Sequence, residues 1–469
     1  MEKCDVLVIG AGPGGTPAAM ALASMGKKVT LVEAGQGLGG TCLFEGCIPS
    51  KIIRESARRL RELRMAKAFG IEAPVNEARV NWQTILQRKA RILQMRSQAA
   101  RHKGLQIPGF DLRFGKASFL SPREASITLA DGSSQSIGFE QAIIATGSRP
   151  NRPPIPGIDL PGVLDSEQIL SIESLPDRLT IIGAGPIGVE LGQMFNSLGT
   201  RIHLLEVAAH VLGPVDEDLS RQLQQRMAAE GIDIDTGIRN LSIEKDGKDL
   251  RVRYTNAQGE AAQVLSDRVL QVTGRHPNLE GLGLENTAIE HDRHGIHVNE
   301  TLETGEPGIY AAGDVLGQPM FAHWATAQSL ALAQHLAGRP APFPRPEHNS
   351  AVIFSEPELG MAGLTEKQAR EQGIEYEVAR YDFRQDARAQ IMDQAEGLLK
   401  ILFERDSRKV IGVHALVEGA GELMGEAALL VRAGLPIELI AGAIHPHPTL
   451  TESFAVAVRT ALASRAKGS

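Results

Sequence analysis

The chain has 469 residues, 42% of them apolar and 22% charged, with 49 glycines, room for about three domains of roughly 150 residues in a turn-rich α/β protein. A formal net charge of −7 makes no case for nucleic acid as a partner, and no apolar run reaches the roughly 18 residues of a membrane span. Three cysteines are too few for the disulfide framework of a secreted protein. The chain enters a strand-like run at Asp5 with no charged-then-apolar leader, so a soluble, cytoplasmic protein is expected.

Val6 to Ile9 is a short apolar run of the kind buried in a parallel sheet. Gly10-Ala-Gly-Pro-Gly-Gly15 follows, then a helix-like Ala18 to Met25 and a second apolar strand, Lys28 to Val32, ending at Glu33. Gly10 permits a tight turn, Gly12 lets backbone approach a pyrophosphate, and Gly15 lets helix pack on strand. The helix N-terminus then offers N–H groups and partial positive charge to phosphate. Glu33 stands where an acid accepts from a ribose hydroxyl.

The next stretch, Gly39-Gly-Thr-Cys-Leu-Phe-Glu-Gly-Cys-Ile-Pro-Ser-Lys51, holds Cys42 and Cys47 with four residues between them. An α-helix holds positions five apart at about 8 Å, and a disulfide needs Cα atoms closer than about 7 Å. If the two bridge, the chain leaves the helix between them, which Gly46 eases; the alternative is two unrelated thiols in a loop. From Lys51 to Lys103, Arg and Lys recur at helical intervals, as at Arg54, Arg58, Arg61 and Arg64. Solvated helix faces are the simple reading, and a docking patch for an acidic protein partner is the sharper one. Phe114 to Phe119 and Ala125 to Leu129 alternate like strands around an Asp131-Gly132 turn. Gln141 to Gly147 is another buried strand, and the prolines from Pro150 to Pro161 read as a linker.

Leu179-Thr-Ile-Ile-Gly183-Ala-Gly-Pro-Ile-Gly188 then repeats the first device, with Gly185 in its centre, and the strand Arg201 to Leu205 ends at Glu206. Two phosphate cradles in one chain imply two dinucleotides. Glu206 suits a free 2′-hydroxyl and repels a 2′-phosphate, and Val207-Ala-Ala-His210 supplies no Arg or Lys; NADH is favoured over NADPH. Leu250 to Tyr254 and Gln263 to Val272 read as strands, Gly308 to Asp314 as an apolar approach to an acid, and Trp324 to Leu336 as a helix. A third region has strands at Ala351 to Phe354, Leu398 to Phe403 and Val410 to Leu416, helices at Gly421 to Arg432 and Phe454 to Ala463, and His445-Pro-His-Pro-Thr-Leu-Thr-Glu452 between those helices.

The motifs GAGPGG, GGTCxxxxCIPSK, ATGSRP, GAGPIGVE, AAGD, FSEPELGMAGLTE and HPHPTLTE occur in the order seen in the flavoprotein disulfide reductases. Across about Met1 to Leu462 the chain resembles that family, also called class I pyridine nucleotide-disulfide oxidoreductases, and most closely its dihydrolipoamide dehydrogenase branch. The resemblance implies an α/β fold with two Rossmann-like dinucleotide-binding domains and a C-terminal α+β dimerisation domain. It divides the chain into 1–149, the first part of an FAD-binding domain; 150–274, an NAD-binding domain; 275–347, a central domain completing the FAD site; and 348–469, an interface domain. FAD would occupy the first cradle, with Glu33 on its ribose, Asp314 on its ribityl and pyrophosphate region, and Thr41, Lys51, Gly115, Ala145, Thr146 and Gly147 lining the site. NAD would occupy the second, with Glu206 on its ribose and Gly274 nearby. Lys51 and Glu190 would pair where the two cofactors meet. No metal is implied.

The same resemblance implies FAD-dependent oxidation of protein-bound dihydrolipoamide to lipoamide, with NAD⁺ reduced to NADH, through a Cys42–Cys47 redox disulfide. Cys42 would exchange with the dithiol and Cys47 would face the flavin. His447 would act as base and Glu452 would orient it, the histidine coming from the other subunit of a homodimer. The partner would be a lipoylated carrier protein, neither a nucleic acid nor a membrane. Two departures stand out: Phe44-Glu45 replaces the usual Asn-Val pair, and Ala322 to Ala327 lacks the usual Lys and Glu. A carboxylate beside the thiols is expected to raise their pKa and alter the redox poise. No cysteine follows Cys47, which argues against mercuric reductase and the large thioredoxin reductases. A glutathione-reductase-like activity, or a low-turnover flavoprotein sensor, remains the alternative.

Overall fold

The structure, a computed structural model, describes residues 2–72, 74 and 77–468. The chain divides into two compact units. The first comprises Met1–Pro153, Leu164–Leu175 and Thr273–Pro344, the second Pro154–Val163, Pro176–Val272 and Arg345–Ser469.

The first unit is built on β1 (Glu2–Ile9), α1 (Thr16–Ser24), β2 (Val29–Glu33), α2 (Gly40–Phe44), α3 (Cys47–Met65), α4 (Trp82–Leu105), β3 (Phe110–Phe114), β4 (Lys116–Ser121), β5 (Glu124–Thr128) and β6 (Ser134–Ile144). Its sheet runs β3-β2-β1-β6-β5-β4, with Ile309–Ala311 added parallel to β6. The strands β3, β2, β1 and β6 are parallel, so the central one is covered on both faces. Val6, Leu7 and Val8 are accordingly all fully buried, a continuous apolar run where an antiparallel strand would alternate. On one face the alanines of α1 allow a close approach of the helix Ala322–Leu336, sealed by the Ala18 N–H donating to Ser329 Oγ at 2.8 Å.

One turn differs from expectation. Pro122-Arg123 joins β4 to β5 as a tight hairpin with Ser121 opposite Glu124, and Asp131-Gly132 joins β5 to β6. Arg123 fixes the hairpin by donating to the carbonyls of Pro122 and Pro307. The Asp131 carboxylate accepts the Ser133 N–H at 2.9 Å, an Asx turn. The proline-rich stretch does carry the chain from one unit to the other, yet it is not a solvated linker. Ile155, Ile158 and Leu160 pack on the core around Leu250 and Val252.

The second unit contains a five-stranded sheet in the order Asp233–Thr236, Arg201–Glu206, Arg178–Ile182, Arg268–Gln271 and Val163–Leu164, its first four strands parallel. Helices Pro186–Ser197 and Glu217–Ala229 accompany it, and a three-stranded antiparallel sheet spans Arg239–Asp246, Asp249–Thr255 and Ala261–Ser266. The C-terminal part is a five-stranded antiparallel sheet, ordered Ser350–Ile353, Leu359–Gly363, Val410–Leu416, Leu398–Glu404 and Tyr376–Asp382. Helices Ala420–Ala433 and Glu452–Gly468 close its core around Phe403, Val413, Leu423 and Phe454. Lys400, 1% exposed, lies within 2.9 Å of Asp216, 2.9 Å of Asp218 and 2.5 Å of Glu366. It thereby pins the start of Glu217–Ala229 to this sheet. No described helix is long and apolar enough to cross a membrane.

Candidate functional site

The two glycine-rich turns place the same demands on the backbone at their first and third glycines. Gly10 has φ +102° and Gly183 φ +106°, a region open to glycine and costly for other residues. A Cβ on Gly15 would stand 1.9 Å from the Gly10 carbonyl oxygen, and one on Gly188 1.9 Å from that of Gly183. The central glycines face space instead: a Cβ on Gly185 meets nothing within 4 Å, and one on Gly12 meets only Gly40 Cα at 3.9 Å. Each following helix lacks an acidic residue in its first turn, leaving its positive end uncompensated. Glu33 accepts N–H groups from Ala11 at 2.7 Å and Gly35 at 2.5 Å. Glu206 accepts them from Ala184 at 2.6 Å and Ala208 at 2.8 Å. An acid clamped at the tip of the second strand, beside an open glycine, fits a dinucleotide in both cases.

Around the first cradle, Gly115 donates its N–H to the Glu33 carbonyl at 2.9 Å, and a Cβ there would sit 2.6 Å from the Thr128 oxygen. Ala145 is buried and bonded to Ile9. Thr146 donates to the Asn278 carbonyl at 2.7 Å, and Gly147, at φ +73°, accepts the Asn278 N–H at 2.9 Å. Burial pushes the Asp314 carboxyl above its usual range, against a 2.7 Å hydrogen bond from Ser148 and the nearby Arg275 charge. Arg275 also holds Ser148 and, at 3.1 Å, Glu167. This Ser148–Arg275–Asn278 frame escaped the sequence reading, although Ser148 stands inside the quoted ATGSRP motif. Gly274, at φ +107° and expected near NAD, belongs to the first unit and bonds Asn151.

The cysteine stretch is fastened to that cradle. The Gly39 N–H donates to the Ala11 carbonyl at 2.8 Å, and a Cβ on Gly40 would lie 2.7 Å from Gly12 Cα. Helix α2 carries Thr41 and Cys42, stops at Phe44, and the chain re-enters helix at Cys47, the first residue of α3. This is the departure from continuous helix that a bridge requires, and it puts the positive end of a 19-residue helix at the Cys47 sulfur. Both cysteines are thiols here, Cys42 half-buried and Cys47 exposed. A hydrogen bond with Cys47 and burial push the Cys42 thiol well up, while the Lys51 and Arg96 charges pull it down.

Phe44 packs with Leu43, Ile52 and Leu93 between the helices. The Glu45 carboxyl is pushed up by burial and by Glu167, against Arg275. The Cys42 thiol is raised, as expected, but Cys47 and burial raise it, and the side-chain cations that oppose the rise are Lys51 and Arg96.

In the second unit, Glu190 accepts the Phe354 N–H at 2.9 Å. Three residues along the same helix, buried Gln193 exchanges two hydrogen bonds with the Glu356 backbone, at 2.7 and 3.0 Å. His447 Nδ1 lies 3.0 Å from Glu452 Oε1, and the Thr449 N–H donates to the same carboxylate at 2.9 Å. That amide and His447 hold Glu452 below the usual carboxylate range. His447 is 72% exposed.

Residues 4–329 match the family model for pyridine nucleotide-disulphide oxidoreductases, and residues 349–458 match the dimerisation domain of the same family. The chain is 37% identical over 466 residues to a mitochondrial dihydrolipoyl dehydrogenase of Cricetulus griseus, covering 96% of this chain and 89% of that one. It is 35% identical to a dihydrolipoyl dehydrogenase of Thermus scotoductus, covering 97% and 96%. Among solved structures, the Cu(II) complex of the HOCl-induced flavoprotein disulfide reductase RclA from Escherichia coli superposes with a TM-score of 0.87 at 28% identity, covering 98% and 100%. The chain is an enzyme that uses FAD and NAD(H), has a dimerisation domain, and belongs to the pyridine nucleotide-disulphide oxidoreductase family.

Proposed function

We propose that the enzyme oxidises protein-bound dihydrolipoamide to lipoamide and passes the electrons to NAD⁺. The observation that carries this reading is the attachment of the Cys42–Cys47 stretch to the first nucleotide cradle, through the 2.8 Å bond from Gly39 to Ala11. A thiol pair in that position can exchange with a dithiol on one side and a bound dinucleotide on the other. The domain division 1–149, 150–274, 275–347 and 348–469 belongs to the same proposal, as does a homodimer completing each site.

The chemistry begins with Cys42 and Cys47 as a disulfide. His447, its ring held by Glu452, takes a proton from the dithiol, and the resulting thiolate attacks the Cys42 sulfur while Cys47 leaves as thiolate. The second substrate thiol displaces Cys42, so lipoamide forms with its own sulfur–sulfur bond and the enzyme pair is reduced by two electrons. FAD, when bound, supplies the two-electron path from this pair to NAD⁺. Lys51 and Asp314 would hold the flavin end of the first site, and Glu190 and Glu206 the second.

The dehydrogenase reading rests on the 35–37% identity to dihydrolipoyl dehydrogenases across nearly the full chain. The RclA-like fold supports a second reading, reduction of another acceptor by NADH. Steady-state assays of the FAD-loaded enzyme separate them. Turnover of NAD⁺ with dihydrolipoamide, abolished in Cys47→Ser, is expected; turnover of glutathione disulfide with NADPH in its place would overturn the proposal.

A further inference from the structure

Charge is unevenly distributed along this chain. Between residues 51 and 103 there are fourteen Lys and Arg against four Asp and Glu, in a protein whose net charge is −7. The two helices of that stretch handle their charge differently. On α3, Arg58 and Arg59 bridge to Glu55 and Glu62 one turn away. Helix α4 carries six Lys and Arg and no acid over 24 residues. Two of the six turn inward: Arg88 donates to the Ile52 carbonyl, and Lys89 to Leu170 and Ser171. The other four, Arg91, Arg96, Arg101 and Lys103, are exposed, with His102 among them.

Helical spacing puts Arg91 and His102 on the outer crest, Arg96 and Lys103 two turns apart on one flank, and Arg101 on the other. In the middle of the crest stands Met95, one turn from Arg91 and 61% exposed. A flexible apolar side chain within a cationic rim is the make-up of a protein-docking surface. Its position gives that surface a purpose. Leu93 of α4 packs on Leu43, next in sequence to Cys42, and the Arg96 charge acts on the Cys42 thiol itself. The cationic face therefore begins at the thiol that exchanges with substrate.

We infer that the exposed face of α4 docks an acidic protein carrier and delivers its dithiol arm to Cys42. This rests on the dihydrolipoamide reading, and it adds the surface that selects the carrier. Opposed charge accelerates encounter and fixes orientation more than it adds affinity, so the effect lies in KM for the carrier and leaves chemistry on a free dithiol alone. The Arg96 charge acts on the Cys42 thiol, so the test leaves it in place.

The test uses the FAD-loaded enzyme and an Arg91→Glu/Arg101→Glu/Lys103→Glu variant. The probes are free dihydrolipoamide, a reduced lipoyl domain with an acidic surface, and the same domain with its carboxylates amidated. The variant is expected to raise KM for the acidic domain by about tenfold or more at low salt, with the gap closing at high salt. Its kcat and KM for free dihydrolipoamide, and its KM for the amidated domain, should stay within about twofold of the unaltered enzyme's. Glutamine at the same three positions should give a smaller change of the same sign, which guards against a folding defect in the reversal. An unchanged KM for the acidic domain overturns the inference, as does a parallel rise for free dihydrolipoamide. So does a change in oligomeric mass, which assigns the face to self-association, or a gel shift of a DNA duplex that the variant loses, which assigns it to nucleic acid. If the unaltered enzyme fails on free dihydrolipoamide, the dithiol chemistry itself is wrong and the docking inference falls with it.

Discussion

Single side chains set the reactivity of the thiol pair. The Arg96 and Lys51 charges favour the Cys42 thiolate, while burial and Glu167 push the Glu45 carboxyl up against the Arg275 charge. Arg96→Gln therefore removes a cation that stabilises the thiolate. Iodoacetamide alkylation of the reduced enzyme should slow by about two- to threefold near pH 8 and need higher pH to reach its plateau. Glu45→Gln should leave that profile where it is, and a shift to lower pH would show that the carboxylate does act on the thiols. His447 depends on Glu452 in another way. The Thr449 amide and His447 hold that carboxylate below its usual range, so it stays charged throughout the neutral region. Its hold on the imidazole is lost only as pH falls through that lowered value. Glu452→Gln keeps the shape without the charge. It is expected to cut kcat for dihydrolipoamide by about 10²-fold and to change the acid limb of the pH–rate profile, which stopped-flow assays from pH 5 to 9 would record as on the order of a hundredfold loss.

At the level of helices and strands, the sequence is most legible where backbone demands one residue type. Gly10, Gly15, Gly183 and Gly188 could be read in advance because a Cβ at each collides with carbonyl backbone or strains φ. The break between α2 and α3 was legible because two sulfurs five positions apart cannot meet on one continuous helix. Lys89 and Lys400 were illegible for the opposite reason: a lysine looks the same in sequence whether solvated or buried, and only tertiary partners distinguish the two. The strands Leu359–Gly363 and Tyr376–Asp382 were missed because glycines dilute one and charged residues interrupt the other. Lys400 carries a prediction of its own. Burial alone would lower its pKa, yet Glu366, Asp216 and Asp218 together hold it above the ordinary value. Lys400→Met strands three carboxylates around an apolar tip and should cost about 3–5 kcal/mol at neutral pH, as removal of one partner from a buried ion cluster does. Burial raises Glu366, but the Lys400 hydrogen bond and charge outweigh it and hold the carboxyl low. Its share of the stability is present above the unfolded pKa and disappears as pH falls through the folded one. Urea unfolding should accordingly show the variant's deficit shrinking on acidification; a constant deficit would locate the cost in packing instead.

For the molecule as a whole, the proposed chemistry turns on which chain supplies the histidine and which the thiols of one site. Cys42 and Cys47 belong to the first unit, while His447 and Glu452 lie in the second, within the stretch that matches a dimerisation domain. That stretch exposes Leu429, Leu439 and Ile444, the last 98% accessible, and burying such side chains between two copies contributes about 1.5–3 kcal/mol each. If each site takes its thiols from one chain and its histidine from the other, two dead variants must rescue one another. A Cys47→Ser chain has the histidine but no redox pair, and a His447→Gln chain has the pair but no base. In a mixed dimer, one site inherits both defects and the other inherits none. Co-expressed in equal amounts with random pairing, the two variants form mixed dimers in about half of the population, each with one working site in two. The preparation should therefore show about a quarter of the unaltered enzyme's activity on dihydrolipoamide, although each variant alone shows almost none. If thiols and histidine of one site come from the same chain, every site in the mixture keeps a defect and no activity returns. Differently tagged subunits allow the mixed dimer to be purified, and its activity should then rise to about half, a doubling that contamination by either parent cannot produce.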